Sequence, residues 1–339
     1  MVQGRPPDVR GAGDLLSGPV HVVFNPASGR GRGGRRMPAY LELLERHVPG
    51  FLHSVTTRPG EEAELADRAI EAGAGTVVAV GGDGTWSHVA DRVLAAERPG
   101  LRFGLLPSGT GNDFGRSLGI DFASPEDAVR VLAAGRTRRV DAGRVTSPGT
   151  PDRLGGAAAF SGPRHFLNLV GFGFDIAVID AAEGARFLKG EILYKTAALQ
   201  QLFRFPGVEL ALEPLGGTPR RGRHLMLTIS NGRFFGGGFP IAPGATVADG
   251  LLHACAIGDA SPLRRANLFS RAGKGRHVDA REVEIVSDTG FRVRFGAPPR
   301  YEVDGDVFAA LEDTVSVEVL PGALEVVAPE APALRAHTP

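Results

Sequence analysis

The chain has 339 residues, of which 42% are hydrophobic and 22% charged, a composition typical of a globular protein with one large or two ordinary domains. Basic and acidic residues each number 38, so the net charge gives no reason to expect a nucleic-acid partner. The single cysteine, Cys255, excludes an internal disulfide and a cysteine-based zinc site. No apolar run reaches the length of a membrane span, and we expect a cytoplasmic protein with a disordered leader over residues 1–17.

The first predicted strand, Val20–Phe24, ends in the turn Asn25-Pro26-Ala27-Ser28-Gly29. The next segment is rich in arginine and glycine, and we expect a helix that begins near Pro38. The segment also matches the G-x-G-x-x-G pattern of dinucleotide-binding folds, at Gly29, Gly31 and Gly34. Because Arg58 follows the next strand and would suit a 2′-phosphate, NADP binding is an alternative interpretation of this region.

A short apolar run, Val77–Val80, stops in the turn Gly81-Gly82-Asp83-Gly84-Thr85, and helical spacing follows it. Valine and alanine residues bounded by glycine are typical of a strand that is buried on both faces of a parallel sheet. In open α/β sheets ligands bind where strands end, and glycines there let backbone N–H groups face phosphate. An aspartate inside this turn would repel bare phosphate, so we expect Asp83 to act through a metal ion or a proton.

A third glycine turn, Pro107-Ser108-Gly109-Thr110-Gly111-Asn112-Asp113, follows the predicted strand Arg102–Leu106. Parallel strands end at one edge of their sheet, so the three turns are predicted to converge on one site. A further helix is predicted to begin with Ser124 as its N-cap and to end before Gly135. These elements predict a doubly wound α/β domain over residues 18–146.

From residue 147 most segments alternate between apolar and polar residues, which predicts a mainly antiparallel β domain over residues 147–329. The predicted strands are Val208–Leu212, His224–Ser230, Leu251–Ile257, Glu282–Val286, Phe291–Phe295, Val315–Leu320 and Leu324–Val327. One amphipathic helix is predicted over Phe187–Phe203, and residues 330–339 are predicted to form a disordered tail.

The three turns, together with motifs in the second half, resemble the diacylglycerol kinase catalytic-domain family, which includes bacterial lipid kinases and sphingosine and ceramide kinases. The later motifs are Asn168–Asp175, Gly190–Tyr194, Ser230–Gly238, Asp249-Gly250 and Val303-Asp304-Gly305-Asp306. The resemblance extends from Val20 to Pro329. It implies an α/β nucleotide domain like those of NAD kinases and phosphofructokinases, a β-rich sandwich domain, and a site in the cleft between them.

The same resemblance implies roles for individual residues. ATP phosphates and ribose are expected at Asn25, Ser28, Gly29, Gly81, Gly82, Gly84, Thr85, Pro107, Gly109, Thr110, Asn112 and Asp306. Asp83 is implied in catalysis and in the magnesium and phosphate network, and Asp249 in a structural magnesium site, although Thr246 stands where relatives can carry an acid.

Asp304 matches the catalytic aspartate of the family's D-G-E motif and is our candidate for the general base that accepts the proton of a lipid hydroxyl. Here the motif reads D-G-D, so Asp306 has a shorter side chain than the usual glutamate. Without the family, Asp304-Gly305 is equally well interpreted as an ordinary hairpin turn.

The predicted function is transfer of the γ-phosphate of ATP, with Mg²⁺, to a lipid alcohol, with diacylglycerol giving phosphatidic acid as the first expectation. A sphingoid base, ceramide or NAD as acceptor stays open, as does a nucleotide- or lipid-binding protein without turnover. The expected partners are the lipid and an anionic membrane surface, contacted peripherally through the Phe187–Phe203 helix and the Arg233–Phe239 loop. A homodimer is also compatible with the sequence.

Overall fold

The computed structural model describes residues 18–109, 111–120, 124–147, 149–151, 163–184 and 200–329. The first half contains β1 (Val20–Phe24), α1 (Ser28–His47), β2 (Leu52–Val55), α2 (Glu61–Glu71), β3 (Thr76–Gly81), α3 (Asp83–Ala95), β4 (Arg102–Pro107), α4 (Asp113–Ser117) and α5 (Pro125–Ala133). Its four strands are parallel and lie in the order β2-β1-β3-β4. The strand order therefore reverses between β1 and β3, which creates a topological switch point.

β3 is buried at every residue, as its apolar sequence predicts. Val77 and Ala79 pack on the side of α2 and α3, whereas Val78 and Val80 pack on the side of α1 and α5. Because side chains alternate along a strand, this division shows that helices cover both faces of the sheet. The doubly wound arrangement predicted for the first half is confirmed.

α1 begins at Ser28, ten residues before the expected start, so Pro38 lies inside the helix. Its first turn is irregular, with left-handed backbone at residues 29–31. Gly33 accounts for the early start, because a Cβ atom there would lie 2.2 Å from the carbonyl oxygen of Asn25. Without a side chain at Gly33, the helix packs directly against the first glycine turn.

The second half is built mainly from antiparallel strands, as the alternating pattern predicts. Its elements are β5 (Thr137–Val145), β6 (Gly149–Pro151), β7 (Arg164–Phe166), β8 (Leu169–Gly173), α6 (Phe174–Gly184), β9 (Val208–Pro214), β10 (Arg220–Ser230), β11 (Leu252–Gly258), a helix over Pro262–Ala272, a 3₁₀ turn over His277–Asp279, β12 (Val283–Asp288), β13 (Gly290–Arg294), β14 (Arg300–Val303), β15 (Asp306–Ala310) and β16 (Thr314–Val327).

Two helices of the second half depart from the prediction. The alternating pattern predicts neither α6 nor the helix over Pro262–Ala272. For the second of these helices the sequence does contain a start signal, Ser261 followed by Pro262. Of the amphipathic helix predicted over Phe187–Phe203, residues 187–199 lie outside the described residues, and residues 200–204 are helical.

The two strands expected near the C-terminus form one long strand, β16, whose register shifts between Leu320 and Leu324. Gly322 lies in this irregularity with left-handed backbone, and its N–H donates to Oδ1 of Asp141 at 2.7 Å. Beyond it, Val326 pairs with Phe103 of β4 and packs in the hydrophobic core of the first half. The last strand of the chain therefore joins the two halves into one continuous sheet.

Candidate active site

Hydrogen bonds join the three glycine turns at the switch point of the sheet. The side-chain amide of Asn25 donates to Oγ1 of Thr85 at 2.9 Å, which links the first turn to the second. The hydroxyl groups of Ser28 and Ser108 lie 2.6 Å apart, and the N–H of Ser108 donates to the carbonyl oxygen of Gly81 at 2.7 Å. The turns therefore converge, as the strand order predicts.

Two of the predicted ATP-binding glycines, Gly82 and Gly109, bring their backbones into close contact. A Cβ atom on Gly109 would lie 2.5 Å from Cα of Gly82, and one on Gly82 would lie 3.0 Å from Cα of Gly109. α3 begins directly after Gly82, and the first N–H groups of a helix have no partner within it. The turn thus presents a helix N-terminus of the kind that binds phosphate. Thr110 lies outside the described residues.

Two acidic side chains flank this helix N-terminus. Oδ1 of Asp83 accepts the N–H of Phe114 at 3.1 Å, and Oδ2 of Asp113 accepts the N–H of Gly237 at 2.8 Å. Burial raises the pKa of Asp83, although backbone N–H groups oppose the shift. Burial and the negative charge of Asp83 raise the pKa of Asp113 to about 6. The two carboxyl groups therefore disfavour each other's ionisation in the absence of a cation.

Magnesium fits these residues. Oδ1 of Asp113 is buried and has no hydrogen-bond partner among the described residues, and carboxylate oxygens are preferred Mg²⁺ ligands. In the described part of the chain no group of three or more histidine, cysteine or acidic side chains could hold a metal ion by itself. Asp83 and Asp113 would therefore hold Mg²⁺ together with water and substrate phosphates, the usual arrangement for this ion.

The carboxylate oxygens of Asp249, the other predicted metal ligand, accept hydrogen bonds from neighbouring residues of the same loop. Its Oδ2 accepts the N–H and the hydroxyl of Thr246 at 3.1 and 3.0 Å and lies 3.1 Å from Nε2 of His253. Its Oδ1 accepts the N–H of Leu251 at 3.0 Å. Because both oxygens are engaged, this arrangement does not fit the structural magnesium predicted at Asp249.

Asp304 lies in the tight turn between β14 and β15, with left-handed backbone at Asp304 and Gly305. This is the geometry of a two-residue hairpin, so the hairpin interpretation of the motif is correct as well. The Asp304 carboxylate accepts three backbone N–H groups, from Leu167 at 2.7 Å, Asn168 at 2.9 Å and Leu169 at 3.0 Å. Burial raises the pKa of Asp304, and these three bonds together with a hydrogen bond from the side chain of Ser87 offset part of the increase.

Asp306 is engaged by two residues that sequence reasoning missed. Its Oδ2 lies 2.5 Å from Nε2 of His88 and 3.9 Å from Nη2 of Arg164. Its predicted contact with the nucleotide stays a prediction. His88 follows Asp83 by five residues in the same helix, which was the only signal in the sequence that it lies near the site.

A second acidic pair, Asp175 and Glu302, is buried between Asp304 and the interior of the β domain. A Cβ atom on Gly171 would lie 1.9 Å from Oδ2 of Asp175 and 2.8 Å from Oε1 of Glu302, so both carboxyl groups meet above this glycine. Burial raises the pKa of Asp175 to about 7, and burial and the charge of Asp175 raise the pKa of Glu302.

A cavity of about 390 Å³ opens at the far end of β8. Its wall includes the apolar residues Phe172, Ile176, Phe205, Val208 and Phe295, and the charged residues Asp180, Glu209 and Arg300 also line it. Phe172 lies three residues after Leu169, which binds Asp304, so the cavity wall is about 10 Å from the Asp304 turn along β8.

A doubly wound sheet with phosphate-type turns at its switch point, joined to a β sandwich, is the architecture of a nucleotide-dependent phosphotransferase. Residues 19–145 match the family model of the diacylglycerol kinase catalytic domain, and residues 168–328 match that of the YegS C-terminal NAD kinase beta sandwich-like domain. The chain belongs to the diacylglycerol kinase and YegS-like family of lipid kinases.

Individual relatives agree with this family. The chain is 28% identical over 313 residues to a diacylglycerol kinase of Mycobacterium tuberculosis, which covers 92% of this chain and 96% of the relative. It is 30% identical over 304 residues to a protein of Chromohalobacter salexigens named "Probable lipid kinase YegS-like", with 84% and 85% covered. The crystal structure of a diacylglycerol kinase from Bacillus anthracis shares the fold, with a TM-score of 0.68 at 18% identity and coverage of 93% and 98%.

The family assignment leaves the NADP interpretation without support. Arg58, its proposed contact with a 2′-phosphate, places Nη2 at 2.6 and 2.7 Å from the two carboxylate oxygens of Glu64. The G-x-G-x-x-G segment forms the irregular start of α1, where its arginines hold the third turn instead. Nη1 of Arg32 donates to the carbonyl oxygen of Gly109 at 3.2 Å, and Nη1 of Arg36 donates to that of Pro107 at 3.0 Å.

Proposed function

We propose that this lipid kinase is a diacylglycerol kinase, which transfers the γ-phosphate of ATP to the free hydroxyl of diacylglycerol and forms phosphatidic acid. The observation that carries the proposal is the position of Asp304 between a phosphate-type helix N-terminus and an apolar cavity. The helix N-terminus would bind the phosphates of ATP, and the cavity would hold an acyl chain of the lipid. Relatives named as diacylglycerol kinases support the choice of acceptor.

In the proposed reaction the lipid hydroxyl oxygen attacks the γ-phosphorus. The new O–P bond forms while the bond to the β,γ-bridging oxygen breaks and its electron pair leaves with ADP. The hydroxyl proton passes to Asp304. Three backbone N–H groups and the side chain of Ser87 hold this carboxylate in place. When bound, Mg²⁺ supplies neutralisation of the phosphate charge.

The apolar cavity suits one acyl chain of the lipid. Phe172, Phe205 and Phe295 provide aromatic surface, and burying a methylene group against such a wall is worth about 0.8 kcal/mol. Its distance of about 10 Å from Asp304 corresponds to the span between the glycerol hydroxyl and the middle of a chain. NAD has no acyl chain that would occupy this cavity.

The acceptor is tested with labelled ATP, Mg²⁺ and mixed micelles that contain diacylglycerol, a sphingoid base, ceramide or monoacylglycerol, with soluble NAD as a separate arm. We expect labelled phosphatidic acid as the main product. A higher kcat/KM with another acceptor would overturn the choice of diacylglycerol, and ATP binding without any product would indicate a non-catalytic protein. As a check on the cavity, Phe172→Ala should raise the KM for long-chain diacylglycerol more than for a dioctanoyl analogue.

We also propose that the enzyme meets its substrate as a peripheral protein on an anionic bilayer. No helix in the part of the chain that the structure describes is long and apolar enough to cross a membrane. Phe203 and Leu263 are 54% and 80% exposed, and exposed Arg204 adjoins Phe203. Arg265 connects the segment of Leu263 with that of Phe203, because its Nη1 donates to the carbonyl oxygens of Leu202 and Phe205. Phe205 also lines the cavity.

This surface differs from the loop Arg233–Phe239 that the sequence suggested. There the rings of Phe239 and Phe269 lie 5.4 Å apart, and Phe235 packs against the hydrophobic core of the β domain. Vesicle flotation tests the new assignment: the double variant Phe203→Ser and Leu263→Ser should lose binding to phosphatidylglycerol vesicles. The matched control Leu52→Ser, 56% exposed on β2, should retain it. Equal binding by both variants would show that the surface is wrongly placed.

A further inference from the structure

His88 lies between two carboxylates that belong to different halves of the chain. Its Nδ1 is 2.8 Å from Oε1 of Glu62 on α2, and its Nε2 is 2.5 Å from Oδ2 of Asp306 on β15. Ionised carboxylates only accept hydrogen bonds, so both ring nitrogens must donate and the ring is a cation. His88 is 7% exposed, so water contributes little to solvating this charge.

A second ion pair runs beside the first and starts three residues later on α3. Oδ2 of Asp91 lies 2.7 Å from Nη1 of Arg164 on β7, and Oδ1 of Asp91 accepts the backbone N–H of His165 at 2.8 Å. Nη2 of Arg164 also faces Oδ2 of Asp306 at 3.9 Å. Alternating charges therefore connect α2 and α3 of the nucleotide domain with β7 and β15 of the β domain.

Both connections reach the immediate neighbours of Asp304. Asp306 follows Asp304 by two residues, at the other end of the hairpin turn. Arg164 and His165 precede the segment 167–169, whose N–H groups bind the Asp304 carboxylate. α3 therefore holds the turn itself through His88 and holds the hydrogen-bond donors of Asp304 through Asp91.

The same helix begins with the phosphate-type turn. Asp83 is its first residue, and His88 lies five residues further on, about 7.5 Å along the helix axis. A helix is stiff over this length, so the position of His88 relative to the phosphate-binding N–H groups is set by the helix geometry. Any group that His88 holds is thereby placed at a set distance from the γ-phosphate.

We propose that His88 is a positioning residue, which fixes the Asp304-Gly305-Asp306 turn relative to the nucleotide turn at the start of α3. The inference rests on the proposed function, in which Asp304 accepts the proton of the lipid hydroxyl. Loss of the imidazolium would leave Asp306 and Glu62 without their shared partner and release the hairpin. A displacement of about 1 Å at the reacting groups can lower a rate about 10²-fold.

The ion pairs of His88 with Glu62 and Asp306, called the bridge below, have a pH dependence that a neutral replacement of His88 cannot reproduce. The charged groups that face His88 are Glu62 from α2, Asp306 from β15 and, at longer range, Arg164 from β7. Burial lowers the pKa of His88, but the two carboxylates outweigh this effect and raise it from 6.5 to about 9. Because the folded pKa is raised, the bridge is fully present below pH 6.5 and is lost as the pH rises through about 9.

The first test compares His88→Gln, Asp306→Asn and the double variant in the lipid kinase assay between pH 6 and pH 10. We expect each single variant to lose about 10²-fold in kcat, and His88→Gln to keep a KM for ATP close to that of the wild type, because the nucleotide turns are unchanged. The double variant should lose no more than either single variant, since both remove the same ion pair. The decline in kcat near pH 9 should disappear in His88→Gln.

His224→Gln serves as the matched control, since His224 is a half-buried histidine on β10 that contacts the carbonyl oxygen of Gly222. It should keep the wild-type kcat and pH profile. Wild-type kcat in both His88→Gln and Asp306→Asn, or an unchanged alkaline decline in His88→Gln, would overturn the inference. If His88→Gln does not fold, Asp306→Asn removes the same ion pair from the less buried side and decides the question.

A second measurement separates failure of this inference from failure of the proposed function. Urea unfolding of the same four proteins at pH 7 should show energetic coupling between His88 and Asp306, and at pH 10 the coupling should vanish. Wild-type protein without lipid kinase activity would overturn the proposed function, and with it the catalytic role of His88, even where the coupling is measured. Additive unfolding effects at pH 7 would overturn the bridge itself, whatever the activity.

Discussion

Replacement of Asp304 by asparagine tests the proposed base, and the structure predicts two separate effects. The carboxylate binds three backbone N–H groups, two through Oδ1 and one through Oδ2. The asparagine oxygen can keep the bonds from Asn168 and Leu169, but its NH₂ group must then face the N–H of Leu167, donor against donor. We therefore expect the free energy of unfolding to fall by about 1–3 kcal/mol. Turnover should fall about 10²-fold or more, because an amide does not accept the proton.

Turnover, the Kd of Mg·ATP and urea unfolding are measured on the same Asp304→Asn preparation. We expect the affinity for Mg·ATP to stay near that of the wild type, since the hydrogen bonds of Asp304 among the described residues come from Leu167, Asn168, Leu169 and Ser87. Asp288→Asn is a matched control, because Asp288 also accepts backbone N–H groups, from Gly216 and Thr289, at a position away from the site. It should lose stability without losing turnover. Near wild-type turnover in folded Asp304→Asn would refute the assignment of the base, and a normal rate at raised Mg²⁺ would make Asp304 a metal ligand.

Gly109→Ala should weaken ATP binding in a folded protein, because its Cβ atom would displace the backbone of Gly82; an unchanged Kd for ATP in calorimetry would contradict this contact. Asp113→Asn should raise the Mg²⁺ concentration needed for half-maximal activity. In the wild type we expect activity to fall as the pH falls through about 6, where the Asp113 carboxylate becomes protonated, and Asp113→Asn should remove this loss. A magnesium titration that matches the wild type would exclude Asp113 as a ligand. The raised pKa of Asp175 means that the contribution of the Asp175–Glu302 pair to the free energy of unfolding of the wild type declines as the pH rises from about 4 to about 7. Glu302→Gln should therefore make the free energy of unfolding less sensitive to pH. Parallel curves of stability against pH for variant and wild type would show that Glu302 does not contribute to this pH dependence.

The sequence by itself determined the features that depend on neighbouring residues. Hydrophobic spacing and glycine positions predict the strand Val77–Val80, the turn after it and the helix that follows. The doubly wound domain and the meeting of three turns were therefore predictable. Asp304-Gly305 was predictable as a hairpin turn for the same reason, since turn chemistry is local. Family motifs then added the expectation that these turns bind ATP and that Asp304 is a base.

Only the tertiary structure decided which distant side chains meet. His88 and Asp306 are separated by 218 positions, and no spacing rule connects them; the fold brings Nε2 of His88 on α3 to Oδ2 of Asp306 at the start of β15. The same holds for Asp113, which meets Gly237 of the β domain. Electrostatic contacts across a domain boundary depend on how the two cores pack, and periodicity along the chain carries no information about that packing.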